Sequence, residues 1–450
     1  MNRAKRILLV NPAWRGIRRQ KQPQFRRVWP PLSLAVTASM LEREGFFVTI
    51  LDANARPCRG SDLFRAARAH DMVFVTSSPY DRWQCPALDI RYFFDACDYV
   101  PGDRLYVLGA HCTERPAAVL AATGARAAVM GEPEGTILEV ARTGGADQDV
   151  PGTARLENGV LRKAPDRGFV ADLDELPMPA FHRLPMNAYR YGPMGRRFAI
   201  LEGSRGCPHG CTFCYLGMYG RRHRKKSPER VAAEAGYAAL RRGVRNLYFM
   251  DLEFCLERSW VMEVCDRLAR SPGGISWCCQ TRVSDVDADL LQAMRRAGCS
   301  LIHFGVESGS DRILAATGKG IRVSDARRAV RLCREAGIRT AVFMNLGFPG
   351  ETVEEMHQTV RLARELSATY TSFHLVVPFP GTRLAEDLGV DPDVLPAHLY
   401  PQFNEEHEIR RLKLRLVRAY AATCLRPSQL LSLARSGSGI ATVRGPGAPR

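Results

Sequence analysis

Three closely spaced cysteines are the residues of this chain with the clearest chemistry. Cys207, Cys211 and Cys214 lie in the run GSRGCPHGCTFCYLG with the spacing CxxxCxxC. Three thiolates on one short loop suit an iron–sulfur cluster, which normally takes four protein ligands. Because a fourth ligand is missing, one iron is left open to bind another molecule. The spacing therefore predicts a cluster with an open iron.

Other uses of clustered cysteines fit this sequence less well. Structural zinc sites usually complete four ligands with a second cysteine pair, and no second CxxC occurs in the chain. His209 lies inside the loop, but its offset of two residues from Cys207 is awkward for joint chelation. A disulfide framework is disfavoured because the N-terminus lacks a secretory pattern. The remaining cysteines are mostly single, which is typical of core residues in a reducing cytoplasm.

The positive charge of the chain is concentrated at its two ends. The net charge is +17, and Met1–Pro30 and Arg410–Arg450 each carry nine basic residues and no acid. These end segments account for the whole excess, so the body between them is near neutral. Solvated tails explain this pattern better than a polynucleotide-binding surface, so we expect no nucleic-acid partner. No apolar run is long enough to span a membrane.

The first third of the 450-residue chain alternates short apolar strands with helical stretches. This alternation predicts an α/β fold with a doubly wound parallel sheet, which binds ligands beyond the carboxyl ends of its strands. The predicted strands are Arg6–Val10, Val48–Leu51, Met72–Thr76, Arg104–Leu108 and Ala127–Met130, and the predicted helices are Pro31–Glu44, Asp62–Ala69 and Arg115–Ala122. The loops after these strands include Asn11-Pro12, Thr76–Tyr80, Gly109–Thr113 and Gly131–Glu134.

The alternation restarts at Phe198 and continues through six β/α units, which predicts a partial (β/α)6 barrel. Its strands are Phe198–Leu201, Asn246–Met250, Ser276–Thr281, Leu301–Gly305, Thr340–Asn345 and Ser372–Val377. The cysteine loop follows the first strand, at the end where such barrels carry their chemistry. Ser227 and Pro228 indicate the start of the first barrel helix.

We expect five segments along the chain. They are a sheet domain over 1–142, a linker over 143–197 with a hairpin at Gly152–Ala164, the partial barrel over 198–384, a helical region over 385–435 with its main helix at Glu405–Cys424, and a disordered tail over 436–450.

The motifs at the barrel strand ends resemble, in order, those of cobalamin-binding radical S-adenosylmethionine (SAM) enzymes. The matching runs are Tyr219–Glu229, Phe249–Glu253, Gly305–Gly309, Gly347–Glu351 and Pro378–Thr382. Asp251-Leu252-Glu253 stands where the superfamily often has Gly-Gly-Glu. The resemblance implies a 4Fe–4S cluster on the three cysteines with SAM on its open iron. It also implies SAM contacts from Phe213, Asp251, Glu253, Arg282, Glu307, Ser308 and Gly347.

The N-terminal domain is similar to the cobalamin-binding half of the same family. The resemblance implies cobalamin contacts from Ser78, Pro79, Gly109, His111, Gly131 and Glu132. The Asp-x-His-x-x-Gly signature, whose histidine ligates cobalt in many cobalamin proteins, is absent from the sequence. The resemblance therefore implies cobalamin without a histidine axial ligand, and His111 is expected to line the pocket.

The family likeness implies a methyltransferase that acts on an unactivated carbon. In this chemistry the reduced cluster cleaves SAM, and the resulting deoxyadenosyl radical removes a hydrogen atom from the substrate carbon. Methylcobalamin then delivers a methyl group, and a second SAM remethylates the cobalt. We expect a small natural-product intermediate as the substrate, as in antibiotic biosynthesis. We also expect an electron donor of the flavodoxin or ferredoxin type and a cytoplasmic location.

Three alternatives stay open at this point. The same architecture supports a cobalamin-dependent oxidative cyclase or ring-rearranging enzyme. A methylthiotransferase acting on RNA fits less well, because that family usually brings three more N-terminal cysteines and a C-terminal RNA-binding barrel. A non-catalytic binding protein is the third class.

Overall fold

A computed structural model of the chain describes residues 5–13, 27–78, 86, 90–145, 149–271, 273–391 and 406–424. The chain forms two units. The first comprises Met1–Pro208, Cys214–Met250 and Phe379–Ala397, and the second comprises His209–Phe213, Asp251–Pro378 and His398–Arg450. The predicted tail at 436–450 and Pro79 lie outside the described residues.

The first unit contains three sheets of its own and part of a fourth. Its strands are β1 (Arg6–Asn11), β2 (Arg27–Val28), β3 (Phe47–Asp52), β4 (Met72–Thr76), β5 (Leu105–Leu108), β6 (Ala127–Val129), β7 (Thr153–Glu157), β8 (Val160–Lys163), β9 (Arg190–Tyr191), β10 (Gly195–Arg196), β11 (Phe198–Leu201), β12 (Ser204–Arg205), β13 (Arg224–Lys225) and β14 (Asn246–Phe249). Its helices up to this point are α1 (Leu32–Arg43), α2 (Gly60–Arg68), α3 (Arg91–Cys97), α4 (Ala110–Glu114), α5 (Pro116–Thr123), α6 (Pro133–Thr143) and α7 (Pro228–Arg242).

The first sheet has the strand order β3-β1-β4-β5-β6-β7-β8. The strands from β3 to β6 pair in parallel, whereas β7 and β8 pair antiparallel at one edge. The runs in β1 and β4 are almost continuously apolar and buried, as expected for strands covered on both faces. Residues of α1 and α6 pack on one face, and residues of α2, α3 and α5 pack on the other. This arrangement confirms the predicted doubly wound parallel sheet.

Two features of this unit differ from the expectation. The first is α6, which begins at Pro133 inside the Gly131–Glu134 run that the sequence predicts as a loop. Proline is preorganised for the first position of a helix, so Glu134 lies in the first helical turn. The second is the hairpin predicted at Gly152–Ala164, which extends the first sheet as β7 and β8 instead of belonging to a linker. The domain boundaries stated above stay predictions.

The second unit continues the alternation of strands and helices. Its strands are β15 (Ser276–Thr281), β16 (Cys299–Glu307), β17 (Arg339–Leu346) and β18 (Tyr370–Leu375), and its helices are α8 (Arg258–Arg270), α9 (Ala288–Arg296), α10 (Asp311–Ala316), α11 (Val323–Glu335) and α12 (Val353–Leu366). The short α13 (Arg383–Asp387) belongs to the first unit, and α14 (Glu406–Cys424) belongs to the second. The order β11-β14-β15-β16-β17-β18 confirms the predicted partial (β/α)6 barrel.

The predicted C-terminal helix is present as α14, and it packs on the last barrel strand. The Tyr420 hydroxyl accepts a hydrogen bond from the N–H of Phe373 and donates one to the carbonyl of the same residue, both at 2.9 Å. Because an open strand edge invites pairing with other chains, this contact protects β18. No helix among the described ranges is both long enough and apolar enough to cross a membrane.

Candidate functional site

The three cysteines lie on a loop of residues 206–223, which we call the cluster loop. β12 leads into the loop and β13 leads out, and the two strands pair antiparallel at its base. Gly206 has a φ of +85°, and a Cβ atom there would lie 2.1 Å from the carbonyl oxygen of Arg222. Only glycine permits both this conformation and this close approach. The sequence therefore closes the loop tightly at the residue before the first cysteine.

The thiols of the cluster loop differ from the other thiols of the described residues. Cys207, Cys211 and Cys214 are half-buried, whereas nine other cysteines are buried: Cys58, Cys97, Cys112, Cys255, Cys265, Cys278, Cys279, Cys299 and Cys333. Burial raises the pKa of Cys112 and of Cys278 well above the ordinary range of thiols. Since thiolates are the metal-binding form, the buried thiols are poor ligands. The donor set of the loop fits an iron–sulfur cluster.

Two cationic side chains of the second unit lie beside Cys211. The Arg282 Nη1 atom is 3.8 Å from the Cys211 Sγ atom. Burial lowers the pKa of Lys319, but the charges of Glu307 and Cys211 outweigh burial and leave that pKa raised. Lys319 is therefore charged at neutral pH. Both cations therefore lie beside one of the three predicted cluster ligands.

Glu253 forms the acidic part of the same region. Its carboxylate accepts a hydrogen bond from the Thr281 hydroxyl and another from the Arg282 N–H at 3.1 Å. Burial is the main cause that raises the pKa of Glu253 to about 8. Ligand atoms of His209, Glu253 and Asp285 all lie within 4.8 Å of one another. This group can accept a cation such as an ammonium. Asp251 is also fully buried, two residues before Glu253.

Glu307 ends β16 in a conformation that non-glycine residues rarely adopt, with a φ of +70°. Its carboxylate is fixed by Lys319 Nζ at 3.0 Å and by Asn345 Nδ2 at 2.6 Å. Backbone strain of this kind clusters at functional sites, where the surroundings determine it. Ser308 is buried, and its hydroxyl accepts the Ser310 N–H at 3.2 Å. The structure therefore uses the Ser308 side chain to shape the turn before α10.

The loop after β17 contacts the aromatic residue of the cluster loop. Gly347 has a φ of +91°, and its N–H donates to the Glu351 carboxylate at 2.6 Å. The Phe348 N–H donates to the same carboxylate at 3.1 Å, and burial raises the pKa of Glu351 to about 7. The Phe348 ring meets the Phe213 ring edge-on, with 5.4 Å between their centroids. Phe213 and the Gly347 loop, both predicted to contact SAM, are thus brought together.

The carboxyl edge of the first sheet is built from small residues. Gly109 has a φ of +109°, and a Cβ atom there would lie 2.6 Å from Ser77 Oγ and 3.0 Å from Ser78 Oγ. The Ser78 hydroxyl accepts the Ala110 N–H at 3.3 Å. Two of the residues predicted to contact cobalamin, Ser78 and Gly109, therefore lie side by side.

His111, Gly131 and Glu132 have partners within the protein. The His111 ring is fully buried and lies edge-on to Phe379 at 5.4 Å. The Gly131 N–H donates to the Thr113 hydroxyl at 3.0 Å. Glu132 is 4% exposed, and its carboxylate lies 2.6 Å from the Arg224 guanidinium group. Cobalamin contacts of these residues stay predictions, and the described partner of Glu132 is the base of the cluster loop.

Two residues of the site were missing from the sequence-based prediction. Lys319 lies between Gly318 and Gly320, whose φ angles are 64° and 65°. A lysine flanked by two left-handed glycines is a signal for a side chain held in a tight turn. Arg205 directly precedes the cluster loop, but two of its carboxylate partners, Glu132 and Glu134, are remote in sequence.

Two family models match the chain. The radical SAM superfamily matches residues 201–363, and the B12 binding domain matches residues 24–141. An uncharacterized methyltransferase of Pyrococcus horikoshii, PH0819, is 32% identical over 369 residues, covering 79% of this chain and 78% of the relative. The anaerobic magnesium-protoporphyrin IX monomethyl ester cyclase of Rubrivivax gelatinosus is 29% identical over 253 residues, covering 54% of this chain and 45% of the cyclase. The chain thus spans about half the length of this cyclase.

Solved structures share the fold. Two structures of the radical SAM methyltransferase TsrM from Kitasatospora setae align with TM-scores of 0.67 and 0.68, at 23% and 22% identity. They cover 86% of this chain and 75% and 76% of their own chains. One contains cobalamin and a [4Fe-4S] cluster, and the other contains tryptophan and a SAM analogue. The radical SAM and B12 binding family models establish a 4Fe–4S cluster, SAM and cobalamin as the cofactors of this chain.

Proposed function

Because the chain belongs to the cobalamin-dependent radical SAM methyltransferase family, we propose that it transfers a methyl group to an unactivated carbon of a small natural-product intermediate. The observation that carries this proposal is the chain of contacts around Cys211. Arg282 links Cys211 to Glu253, and Lys319 links the same region to the strained Glu307. These contacts bring a cysteine ligand together with carboxyl groups and cationic side chains. An amino acid ligand carries an ammonium and a carboxylate group and therefore needs partners of both kinds.

Each side chain has a distinct role in the proposal. Cys207, Cys211 and Cys214 hold the cluster, whose bound SAM supplies radical chemistry while cobalamin carries the methyl group. Glu253 binds the ammonium group of SAM, because it is the buried carboxylate beside the loop. Phe213 packs against the adenine ring, together with Phe348. Arg282 and Lys319 place two cations beside Cys211.

In the first unit, Ser78, Gly109 and Gly131 line the cobalamin site in this proposal. A φ of +109° at Gly109 and the close approach of Ser77 and Ser78 to its Cα explain why glycine stands at this strand end. The absence of the Asp-x-His-x-x-Gly signature supports a cobalt without an imidazole ligand. Asp251, Arg282, Ser308 and Gly347 complete the SAM contacts, and Pro79, His111 and Glu132 complete the cobalamin contacts expected from the family.

The partners follow from the same proposal. The substrate is a small molecule, a class supported by the tryptophan bound in TsrM. The cluster needs a one-electron donor, for which a flavodoxin or ferredoxin is suited. The cytoplasm is the proposed location, because free buried thiols persist in a reducing compartment. Nucleic acid is not among the proposed partners.

A second candidate function is oxidative cyclisation, which the match to the magnesium-protoporphyrin cyclase favours. The two functions differ in how they consume SAM. Methyl transfer consumes two SAM molecules per product and releases S-adenosylhomocysteine and 5′-deoxyadenosine in equal amounts. Cyclisation releases 5′-deoxyadenosine without S-adenosylhomocysteine.

The experiment therefore counts both nucleosides. The full chain is reconstituted without oxygen and incubated with reductant, SAM carrying a deuterated methyl group and a metabolite extract as the source of substrate. We expect equal amounts of the two nucleosides and a product that has gained the deuterated methyl group. Formation of 5′-deoxyadenosine alone, with a product that has lost hydrogen, would favour the cyclase. The absence of both nucleosides would refute both functions.

A further inference from the structure

A network of buried charges lies at the base of the cluster loop in the first unit. Arg205 of β12 is 1% exposed, and its guanidinium group lies 2.7 Å from carboxylate oxygens of both Glu134 and Glu202. A third carboxylate, from Glu132, lies 3.4 Å away. The Tyr219 ring faces the guanidinium group at 4.9 Å. Arg205 therefore has several charged partners, and none of them is exposed to solvent.

Arg224 of β13 reaches the same glutamate from the other end of the loop. Its Nη2 atom lies 2.6 Å from Glu132 Oε1 and also donates to the Tyr219 carbonyl at 2.9 Å. Its Nη1 atom donates to the Val170 carbonyl at 2.6 Å. Glu132 in turn accepts the Val170 N–H at 2.8 Å. The Glu132 carboxylate thus contacts both Arg205, directly before the cluster loop, and Arg224, directly after it.

Buried ionic contacts of this kind are directional and resist displacement. Charge-assisted hydrogen bonds are short and strong, and a buried ion that loses its partner is strongly destabilised. The packing around Arg205 is dense, since the cavity beside it measures about 10 Å³ and has room for one water molecule at most. These ionic contacts therefore hold the two ends of the loop rigidly against the turn after β6.

We propose that Glu132 is a positioning residue that sets the conformation of the cluster loop by binding Arg205 and Arg224. The inference rests on the proposed function only in taking the three cysteines as cluster ligands. It gives Glu132 a role in addition to the cobalamin contact proposed above.

Hydrogen–deuterium exchange of the full chain without a cluster tests this role. Glu132→Gln removes the negative charge at constant shape, and we expect the amides of 206–223 to exchange about tenfold faster, while β4 and β5 keep their protection. The matched control is Glu139→Gln on the same helix, α6, which breaks an ion pair with Arg167 that does not touch the loop. This control should leave loop exchange unchanged.

Two further variants keep the test decisive. Arg224→Lys retains the charge, but its ammonium group cannot serve Glu132, Val170 and Tyr219 together, so loop exchange should rise about threefold. If Glu132 acts through Arg224, the double variant Glu132→Gln/Arg224→Gln should exchange no faster than Glu132→Gln alone. After reconstitution, Glu132→Gln should retain at most about a third of the wild-type iron, because a loosened loop presents its thiolates less often.

Two results would overturn the proposal. One is loop exchange in Glu132→Gln within about twofold of the wild-type rate, which is less than the loss of one ordinary hydrogen bond would produce. The other is equal acceleration in Glu139→Gln, which would show a general loss of stability. Because exchange is measured without the cluster, a failure of the cysteine assignment would appear only in the iron content and would be read separately.

Discussion

The strand ends of the second unit and the carboxyl edge of the first sheet present different kinds of groups. In the second unit, Glu307 and Lys319 form a buried ion pair, Arg282 adds a cation, and Glu253 is a buried carboxyl group held by Thr281 and the Arg282 N–H. After β4 and β5 of the first sheet, the residues are small, and Gly109 and Ser78 contribute backbone and a hydroxyl group. We infer that fixing the charges of a small amino acid ligand requires paired ions. A large ligand such as cobalamin instead needs small residues that leave space for it.

The largest effect on stability is expected where a buried ion pair of the second unit is broken. Lys319→Met leaves the Glu307 carboxylate buried without its cation, at a cost of about 3 kcal/mol in the free energy of unfolding. Urea denaturation measures this loss. The double variant Lys319→Met/Glu307→Gln removes both charges and should recover most of it. An unchanged stability of Lys319→Met would show that this edge does not depend on paired ions.

The first sheet has one buried acid that sharpens the comparison. The carboxylate of Asp52 accepts the Tyr189 hydroxyl at 2.8 Å and the Asn11 side-chain amide at 2.9 Å. Burial raises the pKa of Asp52 from 3.8 to about 6 despite these hydrogen bonds. A raised folded-state pKa means that the neutral carboxyl stabilises the fold below pH 3.8, and that this contribution is lost as the pH rises through about 6.

The expected loss is about 3 kcal/mol between about pH 4 and pH 7. Urea denaturation as a function of pH measures it, and Asp52→Asn should flatten the decline across this window. If the decline is the same in wild type and Asp52→Asn, another group is responsible. Such a result would remove Asp52 as the source of the pH dependence.

A smaller effect is expected for the glycine of the first sheet edge. Gly109→Ala places a Cβ atom 2.6 Å from Ser77 Oγ at a φ of +109°, and we expect a loss of about 2 kcal/mol together with weaker cobalamin retention. Gly45→Ala is the control, because Gly45 has a φ of +80° but no atom within 4 Å of the added Cβ. Its loss should be about 1 kcal/mol. Equal losses in thermal unfolding would remove close packing as the reason for glycine at 109.

The smallest effect concerns His111. Its ring is fully buried against Phe379, so we expect the electron paramagnetic resonance spectrum of bound cob(II)alamin to lack splitting from an imidazole nitrogen. His111→Ala should leave the cobalt signal unchanged. Nitrogen splitting that disappears in His111→Ala would show that this edge of the first sheet supplies a metal ligand.

The sequence predicted the charged edge better than the small-residue edge, for a physical reason. Cysteines at fixed spacing and acids or arginines directly after apolar strands are residue types that packing alone does not require. Small residues such as Ser78 and Gly109 occur in many loops, so their roles came only from the family resemblance. The doubly wound parallel sheet and the partial barrel also followed from the alternation of short strands and helices, because that pattern has few solutions.

Features that depend on tertiary partners could not be predicted. Glu132 has the same local sequence whether it faces a ligand or Arg224, and the two residues are 92 positions apart in the chain. The start of α6 at Pro133 was hidden by the glycine and proline that indicate a loop. The only local sequence signal at Lys319 is the pair of glycines beside it. Its contact with Glu307 forms only in the folded chain.

The central claim is that the half-buried thiols of the cluster loop carry the chemistry and the buried thiols do not. The most direct measurement is the iron content and SAM cleavage of reconstituted Cys211→Ala beside Cys279→Ala, whose thiol is fully buried in β15. We predict that Cys211→Ala loses most of its cluster iron and forms no 5′-deoxyadenosine, while Cys279→Ala retains both. Full iron loading and SAM cleavage by Cys211→Ala would contradict the account.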